Sequence, residues 1–563
     1  MKTTYIVSEY SKYDKTTENF ILSSRSLNKK FSNKNCIFLE ELIVNEKGLH
    51  EQTEFILKKY TYYKKLLSDK LNLIHNTSLT EKFWTKAFNL YLIRLIMAQW
   101  IRFNKFNKFN PLHHDAHVLK KDLYYYAIDT PDSIVNLLNS NFYQEQIFSI
   151  YINIFYPDFN LKQTAYQMDI LEEAKYPKKY DFSQLKFSKT TILDTHIDNF
   201  KMNLNNKINH FYMPKLDISG FNISNKQREQ LDFEDFLFID DFDKFFLKSL
   251  KFLLPKSYLE AFRYIYETYD SIDISEAKYI LCENWLSNDK LSIFLAIAKE
   301  KNVKHYSLEH GHTHYFKNNY ALFSHSMVDK YISYGWKDSF ISNLIPTGMW
   351  RLNPDKKYDG KTHESNVLFV CYGNVFLYDT DFLACHYINN SAQENYYNNI
   401  KTLMESISQN YAKQITYKEY PKFRGKDRGF NNEYNHIFKN CKILTNEQEL
   451  GYGNLKFIDT CKLVIVGNIG TVFFETLYHG APTIALYSKD HAFVEKQYID
   501  LFQQLEEVGI LQTCPYKMAK LIENVIDDPI VWWNSEKVIY ARNNFIDKYS
   551  SPRDKFYNFL DEL

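Results

Sequence analysis

CKLVIVGNIGTVFFETLYHGAPTIALY, residues 461–487, decides the fold. LVIVG is an unbroken aliphatic and β-branched run, the pattern of a strand covered on both faces in a parallel sheet. Gly467 and Gly470 permit a sharp turn, and Thr471 is predicted to cap a helix over 472–478. At the helix start the amides of Gly470, Thr471 and Val472 have no intrahelical partner, which suits a phosphate. One turn on, Glu475 offers a carboxylate to the vicinal hydroxyls of a ribose or sugar. Gly480 and Pro482 close the helix, and TIALY starts the next strand. An ordinary βαβ crossover would share much of this pattern; the conjunction of glycines, Thr471, Glu475 and HGAP favours a turn that holds a ligand.

Outward from this unit, 563 residues exceed one core and predict two or three domains. A hydrophobic fraction of 45% beside 24% charged residues is that of a globular protein. Lys+Arg number 69 and Asp+Glu 68, so no global field recruits nucleic acid or an anionic membrane, and any basic site is local. Seven scattered cysteines without a CxxC pair predict reduced thiols and a cytoplasmic protein. MKTTYIVSEYSKYD has no apolar signal core, and LYLIRLIMAQWIRF (90–103), interrupted by Arg94 and Arg102, reads as a buried helix rather than a span.

Strands are predicted at 4–8 and from Cys36, with helical spacing at 19–28 between them and a long helical region from 51 to 103. The stretch 156–241 shows no clear period and reads as connecting or substrate-contacting structure. Regular alternation then begins, with strands at 277–285, 303–311 and 330–336 and a helix at 291–302, which implies a parallel sheet. LIPTGMWRLNP (344–354) has the composition of an interdomain linker. Beyond it come strands at 365–373, 414–423 and from Cys441, helices at 396–411 and 454–462, the opening unit, and closing helices.

Ligands of open parallel sheets bind beyond the carboxyl ends of the strands. In the first half those ends offer Glu283 in CENW and then Glu309, His310 and His312 in EHGHTH. Glu309 or His310 suits a general base near neutral pH. In the second half they offer Tyr372 and Gly373, the basic run with Lys418, Lys422 and Arg424, and the turn at Gly470. Cations beside a helix amino terminus neutralise a phosphate without a metal. His113, His114, Asp115 and His117 cluster, but no second group at ligand spacing accompanies them, so no metal site is predicted. GxxxxGK[ST], GxGxxG after the first strand and GxSxG are all lacking, which counts against kinase, dinucleotide and hydrolase chemistry.

Three segments, EKFWTKAFNLYLIRLIMAQW, VKHYSLEHGHTHYF and GTVFFETLYHGAPTIALYSKDHAFVEKQYIDLFQQLEEVGIL, resemble the Leptospira-type transferases of surface-carbohydrate biosynthesis, a GT-B-like group of lipopolysaccharide and capsule clusters. Gly470, Thr471, Glu475 and Pro482 match that family's glycine-threonine turn, helix glutamate and proline; His310 and Gly311 match its His-Gly pair, although His312 replaces the glycine that follows.

The resemblance implies a GT-B-like α/β fold of two Rossmann-type domains facing a cleft. The first, 1–345 with a helical insertion at about 51–270, would bind the acceptor, and the second, 346–563, the nucleotide sugar. It implies transfer of a sugar to a growing surface glycan, with no cofactor beyond the nucleotide-sugar co-substrate, a lipid-linked or free glycan acceptor, and a place at the inner face of the cytoplasmic membrane. A more distant likeness to Kdo and sialic-type transferases suggests a CMP-activated acidic sugar. A CDP-polyol phosphotransferase of teichoic-acid type, a sugar-nucleotide epimerase and a non-catalytic GT-B scaffold are the alternatives.

Overall fold

A computed structural model describes residues 3–8, 11–13, 16–23, 34–43, 45–121, 124, 138, 140–159, 161–164, 185, 187–193, 208–211, 213, 216–233, 236–283, 289–311, 314, 316, 323, 325–350, 358, 364–371, 390–418, 436–444, 458, 460–489, 492–552 and 554–563. Three parallel sheets organise them.

The first sheet has the order β3-β2-β1-β4, from β1 (Thr3–Ile6), β2 (Asn19–Leu22), β3 (Asn35–Phe38) and β4 (His114–Asp115). Its core is shared with three helices, α1 (Glu46–His75), α2 (Glu81–Phe106) and α3 (Asn141–Phe155). Asn45 caps α1 by accepting from the Gly48 amide at 2.8 Å, and Thr80 caps α2 through Phe83 at 3.0 Å. The apolar stretch at 90–103 lies inside α2 and is almost wholly buried, as its sequence predicts. Arg102 is satisfied there by Gln144, Ala98 and Leu138. Among the described residues no helix is long and apolar enough to cross a membrane. A ribbon of β5 (His117–Leu119) and β6 (Lys162–Thr164) adjoins this unit.

The helical spacing at 19–28 gives way at Asn19–Leu22 to a strand, paired on both sides. Three consecutive apolar residues, Phe20, Ile21 and Leu22, are all buried, and so short a run fits a covered strand as well as a helix. These amino-terminal strands also form a sheet of their own.

The second sheet instead begins in the stretch read as connecting structure. Its order is β12-β11-β10-β9-β7-β8, from β7 (Thr190–Leu193), β8 (Ile208–Phe211), β9 (Tyr279–Cys282), β10 (Lys304–Leu308), β11 (Lys330–Ser333) and β12 (Leu344–Pro346). The helix α4 (Asp289–Glu300) makes the crossover from β9 to β10. The predicted linker at 344–354 thus supplies an edge strand, followed by Met349 and Trp350, both fully buried. Those apolar side chains outweigh the loop signal of the neighbouring proline and glycine.

The third sheet has the order β15-β14-β13-β16-β17-β18, from β13 (Glu364–Val370), β14 (Ile415–Lys418), β15 (Lys442–Leu444), β16 (Cys461–Val466), β17 (Thr483–Leu486) and β18 (Leu511–Gln512). In sequence order this is the doubly wound 3-2-1-4-5-6 arrangement, with its switch point between β13 and β16. The second sheet has the related 2-1-3-4-5-6 order, with its switch between β7 and β9. The predicted helix at 454–462 gives up Cys461 and Lys462 to β16, and its residues 454–457 and 459 lie outside the described ones.

Four helices complete the part used below: α5 (Asn390–Ser406), α6 (Thr471–His479), α7 (Glu536–Tyr549) and α8 (Asp554–Glu562). One apolar core joins the second and third sheets. It includes Leu308, Ile332 and Trp350 from one side, Val464, Phe473 and Phe474 from the other, and Phe545 and Phe556 from the closing helices.

Candidate functional site

At the switch point of the third sheet the chain leaves β16 through Gly467. Its amide donates to the Val370 carbonyl of β13 at 2.8 Å. A Cβ there would lie 2.9 Å from Tyr396 Oη and 3.0 Å from Ile400 Cδ1 of α5, so any larger residue would push on the side chains of that helix. Gly470 is the N-cap of α6, with extended backbone and no side-chain cap. Thr471 is therefore the first helical residue rather than the predicted cap, one place earlier than its sequence suggests. Among the described residues no side chain caps this first turn and none lies within 4 Å of a Cβ placed on Gly470, so its amides are available to an anion there. Gly480 ends the helix in the left-handed region at φ 80, with its amide on Leu477 O at 3.0 Å.

Glu475 and Val472 are half-buried on α6. Lys418 is the last residue of β14, buried, in register with Val370 of β13, and so at the same sheet edge as the turn. Lys422, Arg424, Tyr372 and Gly373 lie outside the described residues, as does His312 in the other half.

The second sheet supplies side chains. Glu283 follows β9 and is fully buried; its Oε1 lies 2.9 Å from Nδ1 of His310, which follows β10 and keeps 44% of its side chain exposed. A buried carboxylate accepts, so Nδ1 donates, which in the neutral ring leaves the lone pair on Nε2, the tautomer a general base needs. The sequence shows both residues at strand ends but not their pairing, because they stand far apart in the chain. Their meeting follows from the parallel neighbours β9 and β10, and a carboxylate beside His at adjacent strand ends is the signal that reveals it.

Glu309 faces the other way. Its Oε2 accepts from Tyr334 N and Trp336 Nε1, both at 2.8 Å, and its Oε1 from Tyr549 Oη at 3.0 Å. Burial pushes its carboxyl up to about 8, against the opposing pull of these three donors. Chemistry alone did not separate Glu309 from His310 as a base, but side-chain direction does, since successive residues at a strand end turn to opposite sides.

The two halves meet. A Cβ on Gly311, next to His310, would stand 3.3 Å from Thr471 Oγ1, so the His-Gly loop lies directly against the start of α6. Elsewhere, His114 and His117 lie in β4 and β5. Among the described residues no three or more His, Cys, Asp or Glu side chains are grouped to hold a metal.

The chain belongs to the LIC12162 family of transferases, whose family model matches residues 12–558, in agreement with the resemblance its motifs carry. No curated protein matches it. Among solved structures it is similar to UDP-GlcNAc 2-epimerase from Neisseria meningitidis bound to UDP-GlcNAc, at 12% identity over 64% of this chain and 98% of that one, TM-score 0.32. It is also similar to S. aureus MnaA in a co-structure with UDP, at 10% identity over 66% and 97% of the two chains, TM-score 0.34. Arabidopsis thaliana UGT89C1 aligns at 10% identity over 63% and 85%, TM-score 0.29.

Proposed function

We propose that this LIC12162 family transferase is a nucleotide-sugar-dependent glycosyltransferase that uses His310 as its base. The donor phosphates sit on the amides of Gly470, Thr471 and Val472, neutralised by Lys418 with Lys422 and Arg424. Glu475 accepts hydrogen bonds from ribose or sugar hydroxyls. Across the cleft Nε2 of His310, held in its tautomer by Glu283, takes the proton of the acceptor hydroxyl as that oxygen attacks the anomeric carbon and the nucleotide leaves. The amide dipoles and lysines stabilise the leaving phosphate, so the scheme needs no metal.

One observation carries the reading: the loop bearing the His310–Glu283 pair stands against the uncapped start of α6, with Gly311 and Thr471 in near contact. A base and an anion site so close suit a reaction that deprotonates one partner while a phosphate departs from the other. We take the acceptor to be a bacterial surface glycan, free or lipid-linked and reached at the inner face of the cytoplasmic membrane, and the donor to be a CMP-activated acidic sugar.

A thermal-shift screen against UDP, GDP, CMP and CDP, followed by nucleotide release from the matching sugar donors, tests this. Stabilisation by one nucleotide, with its release on adding a glycan acceptor, is the expected result. Binding without release would leave a scaffold, release with a polyol phosphate in the product would make the protein a phosphotransferase, and altered sugar without acceptor would make it an epimerase.

A further inference from the structure

We infer that Tyr549, from the last turn of α7, is a positioning residue that sets the distance between His310 and the start of α6. Tyr549 touches both sides. Its ring packs on Phe474 of α6, with centroids 4.7 Å apart, while its hydroxyl donates to Glu309 Oε1 at 3.0 Å. Glu309 immediately precedes His310, and Phe474 lies one turn from Thr471. One fully buried tyrosine therefore spans the gap between the helix that would hold the phosphate and the strand end that carries the base.

The segment around Tyr549 is fixed independently of that hydroxyl. Ser551 N donates to Tyr334 O at 2.8 Å, and Ser551 O accepts from Met349 N at 3.2 Å. Gly335, between the two Glu309 donors Tyr334 and Trp336, has φ +128, and a Cβ there would collide with the backbone of Ser550 and Ser551. The other carboxylate oxygen, Oε2, is held by the Tyr334 and Trp336 N–H groups of the second sheet. Glu309 is thus shared: one oxygen belongs to its own sheet and the other to the chain that returns from α7. Losing the Tyr549 hydroxyl removes the second restraint while leaving the ring in its aromatic setting of Phe474, Tyr498 and Phe545. The catalytic consequence rests on the reading of His310 given above; the positioning itself is geometric.

The near contact of Gly311 and Thr471 supplies a test that needs no substrate. In the full chain carrying Gly311→Cys and Thr471→Cys, oxidised glutathione should close a disulfide between the two loops, read by mass spectrometry of the unreduced protein. Adding Tyr549→Phe should slow closure roughly fivefold, the factor a net hydrogen bond is worth, with thermal unfolding still cooperative. Glu309→Gln separates positioning from stability. Its carboxamide oxygen can accept both N–H groups while its NH2 donates to Tyr549, so closure should return to the parent rate, whereas Glu309→Ala should slow it.

Equal closure rates with and without the Tyr549 hydroxyl would overturn the inference, as would slow closure in Glu309→Gln. Unchanged nucleotide release in His310→Ala would instead remove His310 as the base and leave the cross-linking result standing, so the two ideas fail separately.

Discussion

The second and third sheets share a parallel, doubly wound plan but place different chemistry at their carboxyl ends. The second presents side chains: Glu283 orients His310, and Glu309 turns inward to tie the strand end down. The third presents backbone: Gly467 admits α5, Gly470 opens the turn, and α6 begins without a side-chain cap. Proton transfer needs a titratable atom at one point, whereas a phosphate is held as well by several fixed dipoles. The division of labour is thus a division between side chain and main chain, and it assigns different kinetic parameters to the two halves.

The largest effect expected of a side chain is His310→Ala, which should lower turnover by about 10²- to 10⁴-fold with nucleotide affinity unchanged, measured by product formation and calorimetry. Parallel loss of affinity would break the contrast. On the main-chain side, Gly467→Ala should cost about 2 kcal/mol of stability in denaturant unfolding, because its methyl group meets Tyr396 and Ile400. An unchanged midpoint would mean that α5 yields freely.

Glu309 sharpens the comparison through pH. Unfolded, its carboxyl ionises near 4.5; folded, near 8. Between those values the folded protein keeps a proton that the unfolded chain has lost, so stability should fall as pH rises, by up to about 1.4 kcal/mol per unit. Glu309→Gln, which does not titrate, should flatten that slope in unfolding measured between about pH 5 and 8; a slope equal to that of the parent would assign it to other groups. The smallest effect belongs to Glu475→Ala, expected to weaken nucleotide binding by about 1 kcal/mol with the fold intact. Wild-type affinity in calorimetry would take Glu475 out of the donor site.

The main-chain half was the more legible in sequence. LVIVG, the glycine turn and HGAP state strand, turn and helix locally, and the structure moves the helix start by a single residue. The side-chain half depends on contacts distant in sequence. Nothing local pairs Glu283 with His310, and nothing in composition sends Glu309 inward to Tyr549. The strands TTIL and INHF, in a polar stretch, are too short to show a period, yet they complete the second sheet. In the first sheet β1 and β3 read correctly as extended while β2 read as helical, and their assembly into a separate sheet is a matter of pairing that periodicity does not encode.

Trp350 packs against Phe556, with ring centroids 5.0 Å apart and the rings tilted. The partner of a tryptophan that follows the middle sheet thus lies beyond the whole third sheet in chain order. During synthesis Phe556 emerges only after the whole third sheet, and a core whose closing contacts are not yet made stays open until then. The middle unit is made before the third but sealed after it, so its apolar side chains stay open to chaperones while the third sheet is being made.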